Sequence, residues 1–313
     1  ISQMVEYFYE NGFNNLLLDQ SVTVTVFDKK FHSPFSVTTY SNFIVKLITK
    51  CSNSNWVDIE NEFYDELKEI LSMKDPQKVD YNHIEEKLKR LSSLNVSLEF
   101  VIEQLGNYLR ETKLKKLNQD YVRIFNLPIY RKEICTKLLL EDESVEKSLF
   151  LNFNYTSTIE NYFNDQEINY IHGEINDKKN PIVFGFGDEL DEDYKNLELQ
   201  KTNAFFEYIK SFWYFKTSNY HNLVRFIEGE EFQVYILGHS CGLSDRTMLN
   251  MIFEHENCKS IKIFYHGTKE KNNFTNLTQE ISRHFKDKAM TRKKIVPFDK
   301  SEAMPQVNQE KTN

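Results

Sequence analysis

F-Q-V-Y-I-L-G-H-S, Phe232 to Ser240, is the stretch that decides how this chain folds. A short apolar run rich in aromatic and β-branched residues, closed by a glycine, reads as a buried strand. It ends in Gly238, His239 and Ser240, with Asp245 just beyond. Two earlier stretches follow the same plan. S-L-F-L-N-F-N-Y-T ends at Asn154, Tyr155 and Thr156, and I-N-Y-I-H-G ends at His172 and Gly173. In a parallel α/β sheet the carboxyl ends of the strands share one edge, and ligands bind in the crevice there. The three ends therefore predict one site assembled from distant parts of the chain.

Around these stretches the pattern alternates. Strands are expected at Leu149–Phe153, Asn169–His172, Pro181–Phe184, Phe232–Leu237, Ser260–Tyr265 and Ile295–Phe298. Helices are expected at Thr158–Phe163, Asp193–Tyr220, Asp245–Glu256 and Asn276–Phe285. Such alternation argues for a parallel, doubly wound sheet. Upstream, the chain begins with a short helical pattern to about Asn15. Ser21–Phe27 (S-V-T-V-T-V-F) alternates as a strand and Asp28–Pro34 is a polar loop. From Tyr40 to Leu140 the pattern is helical: Ile59, Phe63, Leu67 and Leu71 fall at four-residue spacing, and Asp75-Pro76 stops that helix. A second long helix spans Tyr81–Lys116, with a break expected at Ser92-Ser93, and Tyr121–Leu140 supplies another. The expectation is α/β: one domain over 1–313 with a mostly parallel sheet. Residues 41–147 form a helical insertion between the first two strands, and 300–313 form a flexible tail.

Composition narrows the classes. The 313 residues are 40% hydrophobic and 27% charged, enough to bury a full core. The 25 Phe and 17 Tyr read chiefly as core. A net charge of −8 disfavours generic nucleic-acid binding, although a local basic patch stays open. Cys51, Cys135, Cys241 and Cys258 make no C-x-x-C pair, so zinc-ribbon and thioredoxin-type motifs are excluded, and no metal site is expected. The thiols read as reduced, in a cytoplasmic protein. No run is long and apolar enough for a membrane span. Glu6, Glu10 and Asn11 interrupt any signal-peptide core.

Several motifs, taken in order, resemble the AbiH family of phage abortive-infection proteins. They are T-x-Y-x-x-F at Thr38, Tyr40 and Phe43; Trp56 and Glu60 in W-V-D-I-E; and F-N-Y-T at Phe153–Thr156. I-H-G follows at Ile171–Gly173, V-F-G-F-G at Val183–Gly187, and G-H-S-x-G-x-S-D at Gly238–Asp245. That family is in turn similar to the sirtuin-type NAD-binding fold, which implies a Rossmann-like sheet and NAD as substrate. The resemblance implies catalytic roles for Asn154, which orients the ribose or water, and for His172 as general base. It implies cofactor contacts from Asp28, Tyr155, Thr156, Gly173, Gly238, His239 and Ser240, with Asp245 bracing the turn or ribose. The reaction implied is hydrolysis of NAD to nicotinamide and ADP-ribose in an anti-phage effector. Its partners would be NAD or a related nucleotide, a phage-derived trigger protein and a second copy of the chain. One departure stands out: the family opens with a strand and G-N-G-F-D, whereas Val24–Asp28 keeps only Phe-Asp. β-Branched residues cannot replace glycines that let backbone approach a pyrophosphate.

Two other readings use the same residues. Gly238-His239-Ser240-Cys241-Gly242 fits the G-x-S-x-G elbow of a serine hydrolase, with His266 or His284 as the later histidine. A non-catalytic nucleotide-sensing or protein-binding module needs neither nucleophile nor base. Each residue also has a structural reading: Asn154 pinning a turn, His172 bonding backbone, and the acidic run Asp188–Asp193 as a solvated loop.

Overall fold

A computed structural model describes residues 22–28, 33–39, 42–53, 58–73, 81–112, 117–135, 141–162 and 166–306. The protein is mixed α/β, with short parallel sheets and many helices. It divides into two compact units, with bounds that differ from the expected 41–147. One comprises Ile1–Lys113, Phe184–Phe186 and Asp191–Trp213; the other comprises Leu114–Val183, Gly187–Leu190 and Tyr214–Asn313.

The first unit opens on a hairpin. Strand β1 (Val22–Asp28) pairs antiparallel with β2 (Ser33–Thr39), from Val22 opposite Thr39 to Asp28 opposite Ser33. This corrects two expectations. Ser33–Thr39 is a strand because F-S-V-T-T continues the β-branched alternation past Pro34, which is tolerated near a strand start. The helices therefore follow the first two strands rather than separating them, and V-T-V-T-V-F-D belongs to a hairpin, not to a parallel sheet. The helices are α1 (Asn42–Asn53), α2 (Ile59–Leu71) and α3 (Tyr81–Glu111). Asp58 caps α2 by accepting from the Asn61 N–H at 3.1 Å. Helix α3 runs unbroken through Ser92-Ser93. Leu91, Leu94, Leu98 and Val101 bury one face there, and Ser97 Oγ turns back onto the Ser93 carbonyl. The Tyr64 and Phe186 rings stack with centroids 3.8 Å apart. Buried Lys210, on the short helix Lys210–Trp213, donates to Glu60 Oε2 at 2.9 Å, while the Gly185 N–H donates to Glu60 Oε1. Glu60, from the W-V-D-I-E motif, thus holds unit 1 together; Trp56 and Tyr40 lie outside the described residues.

The second unit carries the parallel strands. β3 (Leu149–Asn152) pairs with β4 (Glu167–Tyr170). β5 (Phe232–Leu237), β6 (Cys258–Tyr265) and β7 (Glu302–Ala303) form a second parallel sheet in that order. The described parallel strands therefore form two sheets rather than one. β3 and β5 both line a cavity of about 1150 Å³, and each leaves its outer edge unpaired among the described residues. Two expected strands are absent among the described residues. Pro181–Phe184 is an extended loop, tied where the Val183 N–H reaches the His172 carbonyl. Ile295 makes a single bridge to Ile261 before Pro297 turns the chain away. The expected tail instead supplies β7, whose edge position tolerates so short a strand. Behind the sheet, Met248, Leu249, Ile252 and Phe253 of the helix Arg246–Glu254 are buried, as are Leu277 and Ile281 of the helix Phe274–Arg283.

Candidate functional site

The site lies in the second unit, where the chain leaves β4 and β5. After β4, Ile171-His172-Gly173 turns sharply. Gly173 has φ +86°, and a Cβ there would sit 2.1 Å from the Pro181 carbonyl oxygen, so only glycine fits. This turn holds His172 buried. After β5, Gly238 at φ +72° and Cys241 at φ +54° bend the chain twice, and a 3₁₀ turn (Leu243–Asp245) leads into the helix Arg246–Glu254. Asp245 stands at that helix start, yet its carboxylate does not cap the helix. It faces the histidines instead.

His172 Nε2 lies 3.1 Å from Asp245 Oδ1. His239 Nε2 lies 3.6 Å from Asp245 Oδ2. One buried carboxylate thus sits between two imidazoles. The helix start favours that negative charge, because its free N–H groups carry the positive end of the helix dipole. The first turn of that helix is clamped: the Thr247 N–H donates to the Gly187 carbonyl, and Arg246 Nη1 donates to buried Asp188 Oδ2 at 3.1 Å. Asp188 is a structural anchor, and the end of V-F-G-F-G works by fixing the helix that presents Asp245.

Aromatic rings complete the walls. The Phe153 ring lies 4.0 Å from the His239 ring and 5.2 Å from the His172 ring. The Tyr214 ring runs parallel to His172, with its hydroxyl 3.4 Å from Nε2. Burial, with the negative charges of Asp245 and Glu280, pushes the Cys241 thiol up to about 12, so it stays a neutral thiol. His284 is fully buried and donates through Nε2 to the Cys241 carbonyl at 2.8 Å. Burial holds its pKa below the usual histidine value, with the Cys241 carbonyl acting in the opposite sense.

Hydrogen-bond logic assigns the tautomers. An ionised carboxylate only accepts, so pairing with Asp245 calls for the hydrogen of His172 on Nε2, an atom that the Tyr214 hydroxyl also meets. The Cys241 N–H donates to His239 Nδ1 at 3.0 Å, so that ring also carries its hydrogen on Nε2. His239 Nδ1 is then committed, and its Nε2 faces Asp245. His172 Nδ1 is the ring nitrogen left to take a proton.

The other predicted residues fall out as follows. Asn154 is exposed at the end of β3 and lines the cavity, as His239 does, whereas His172 and Asp245 are not among the residues that line it. The turn is pinned by its neighbour: Asn152 Oδ1 accepts the Asn154 N–H, and Asn152 Nδ2 donates to the Thr156 carbonyl. The turn-pinning role foreseen for Asn154 therefore belongs to Asn152, which leaves the Asn154 amide outward. Tyr155 stacks 6.4 Å from the His172 ring, and the Thr156 and Thr158 hydroxyls pair at 3.1 Å. Ser240 is exposed and its hydroxyl meets no imidazole among the described residues; the left-handed residue is Cys241. The geometry gives no support to a serine elbow. Asp28 ends β1, in the other unit. Among the described residues, no group of three or more His, Cys, Asp or Glu is arranged to hold a metal ion. Sequence reasoning missed Tyr214 and Phe153. Tyr214 stood inside an aromatic run, Phe212 to Phe215, that reads as core; in the structure Phe212 and Phe215 are exposed, and Tyr214 is buried against His172.

The molecule is thus an α/β protein with a carboxylate–imidazole site at parallel strand ends. A family model described as Bacteriophage abortive infection AbiH matches residues 7–266, most of the chain, and the protein belongs to that family. Comparisons with curated proteins and with solved structures gave no match. Among the described residues no helix is long and apolar enough to cross a membrane.

Proposed function

We propose that this abortive-infection protein acts by hydrolysing NAD at the nicotinamide–ribose bond. The observation that carries the reading is Asp245 set between His172 and His239 at the ends of β4 and β5. Such a dyad supplies one oriented base and one buried negative charge. Among the described residues of the site, no second carboxylic acid is poised as a proton donor. That asymmetry suits NAD. Its nicotinamide is a cation in the substrate and leaves as a neutral molecule, so the leaving group needs no proton. Glycosidic cleavage normally needs both an acid and a base or nucleophile. Here the C1′–N bond breaks with its electron pair going to nicotinamide. Water adds to the oxocarbenium-like carbon and passes a proton to His172 Nδ1. Asp245 then stabilises the imidazolium, and the outward amide of Asn154 orients the water or a ribose hydroxyl. A phage-derived trigger that releases the activity completes the reading.

The experiment is nicotinamide release from NAD by the purified protein. His172→Ala is expected to lower the rate by roughly 10²-fold or more, and Asn154→Ala by less. Wild-type protein that leaves NAD intact, both alone and in extract from phage-infected cells, would overturn the proposal.

A further inference from the structure

The structure assigns His239 a role distinct from that of a base or a cofactor contact: we propose that it is a positioning residue that fixes Asp245 and, through it, the tautomer of His172. The assignment deepens the NAD-hydrolase reading and rests on it for the reaction, but the geometry stands apart from it.

Three observations converge. Cys241, the only non-glycine residue at positive φ among the described residues, aims its N–H at His239 Nδ1 over 3.0 Å. Left-handed backbone at a non-glycine residue is strained and persists where surrounding structure enforces it. Here the Cys241 carbonyl is gripped by His284 Nε2 at 2.8 Å, and the Cys241 side chain is fully buried. The strained residue is thus held from both sides, and its N–H occupies the one lone pair of His239. The Phe153 face, 4.0 Å away, fixes the ring. What remains is Nε2, which faces Asp245 Oδ2 at 3.6 Å, beyond direct hydrogen-bond distance, while Oδ1 lies 3.1 Å from His172. With an imidazole facing each oxygen, rotation of the carboxylate is disfavoured. The groups facing Asp245 include His172 and His239, with the Cys241 thiol neutral beside them. A carboxylate so placed keeps the hydrogen of His172 on Nε2 and leaves Nδ1 open.

Asparagine and glutamine separate the two nitrogens of His239. His239→Asn places a carbonyl oxygen near the Nδ1 position, so the Cys241 N–H keeps an acceptor while the contact to Asp245 is lost. His239→Gln places an N–H near the Nε2 position and preserves that contact. The readouts are imidazole ¹⁵N NMR of His172 and the rate of nicotinamide release. In His239→Asn, His172 is expected to shift from pure Nε2–H to a mixture of tautomers. Release should slow roughly tenfold with KM little changed, a fraction of what a general base contributes. His239→Gln is expected to retain the wild-type tautomer and most of the rate. Equal loss in both variants, or an unaltered His172 signal in His239→Asn, would overturn the assignment. The NMR arm needs no NAD, so an inactive wild type refutes the reaction without touching the result on His239.

Discussion

His172 Nε2 and Asp245 Oδ1 meet at 3.1 Å although they leave different strands of different sheets, and both side chains are more than nine-tenths buried. An imidazole set against a buried carboxylate is oriented and polarised at once, as the histidine and aspartate of a hydrolase triad are. Asp245→Asn tests this directly. The amide presents an N–H to His172 Nε2 and drives the ring to the other tautomer. Nicotinamide release is expected to fall by roughly 10²–10⁴-fold with the circular dichroism spectrum unchanged. A variant with wild-type turnover removes the dyad from the mechanism.

Gly173 sets the position of His172. Its φ of +86°, and the 2.1 Å that would separate an added Cβ from the Pro181 oxygen, leave no room for alanine. Gly173→Ala is expected to destabilise the fold by about 1–3 kcal/mol through backbone strain. Urea denaturation followed by tryptophan and tyrosine fluorescence measures it, and an unchanged midpoint would contradict the geometry.

In the other unit, Lys210 is fully buried and pairs with Glu60 at 2.9 Å. Removing one partner takes this ion pair from the other buried charge. Glu60→Gln is expected to cost about 3 kcal/mol, and the double change Glu60→Gln with Lys210→Met is expected to recover part of that loss. A double-mutant cycle with zero coupling would show that the pair does not act as a unit.

His284 makes stability pH-dependent. Burial lowers its pKa in the folded protein below the ordinary 6.5. A histidine so depressed binds its proton more readily when unfolded. Its contribution is present above pH 6.5 and is lost as pH falls from there toward the folded pKa. The melting temperature is expected to fall between about pH 7.5 and about pH 5.5, and to fall less in His284→Phe. A variant with the wild-type pH slope would assign the effect to other groups.

Much of this was legible in the chain. Val22–Asp28, Leu149–Asn152, Phe232–Leu237 and Cys258–Tyr265 lie where alternation or apolar runs place them, because strand periodicity is a local property. The Ser33–Thr39 strand was hidden by Pro34, and the two-residue β7 is too short for any periodic signal. The Asp193–Tyr220 segment reads as one helix. It breaks into short pieces because Gly185, with φ +145°, brings backbone against Tyr208, and the Phe186–Ile209 bridge then holds an extended turn in the middle.

The amino-acid order by itself determined which polar residues close the strands: Asn154, His172, His239 and Asp245 each follow an apolar run whose residues favour a strand. Only the tertiary structure decided their roles. Which imidazole keeps a free nitrogen depends on the Cys241 N–H and on the two oxygens of one carboxylate. Hydrogen-bond partners across such sequence distances are set by how strands and helices pack, and no local pattern encodes them.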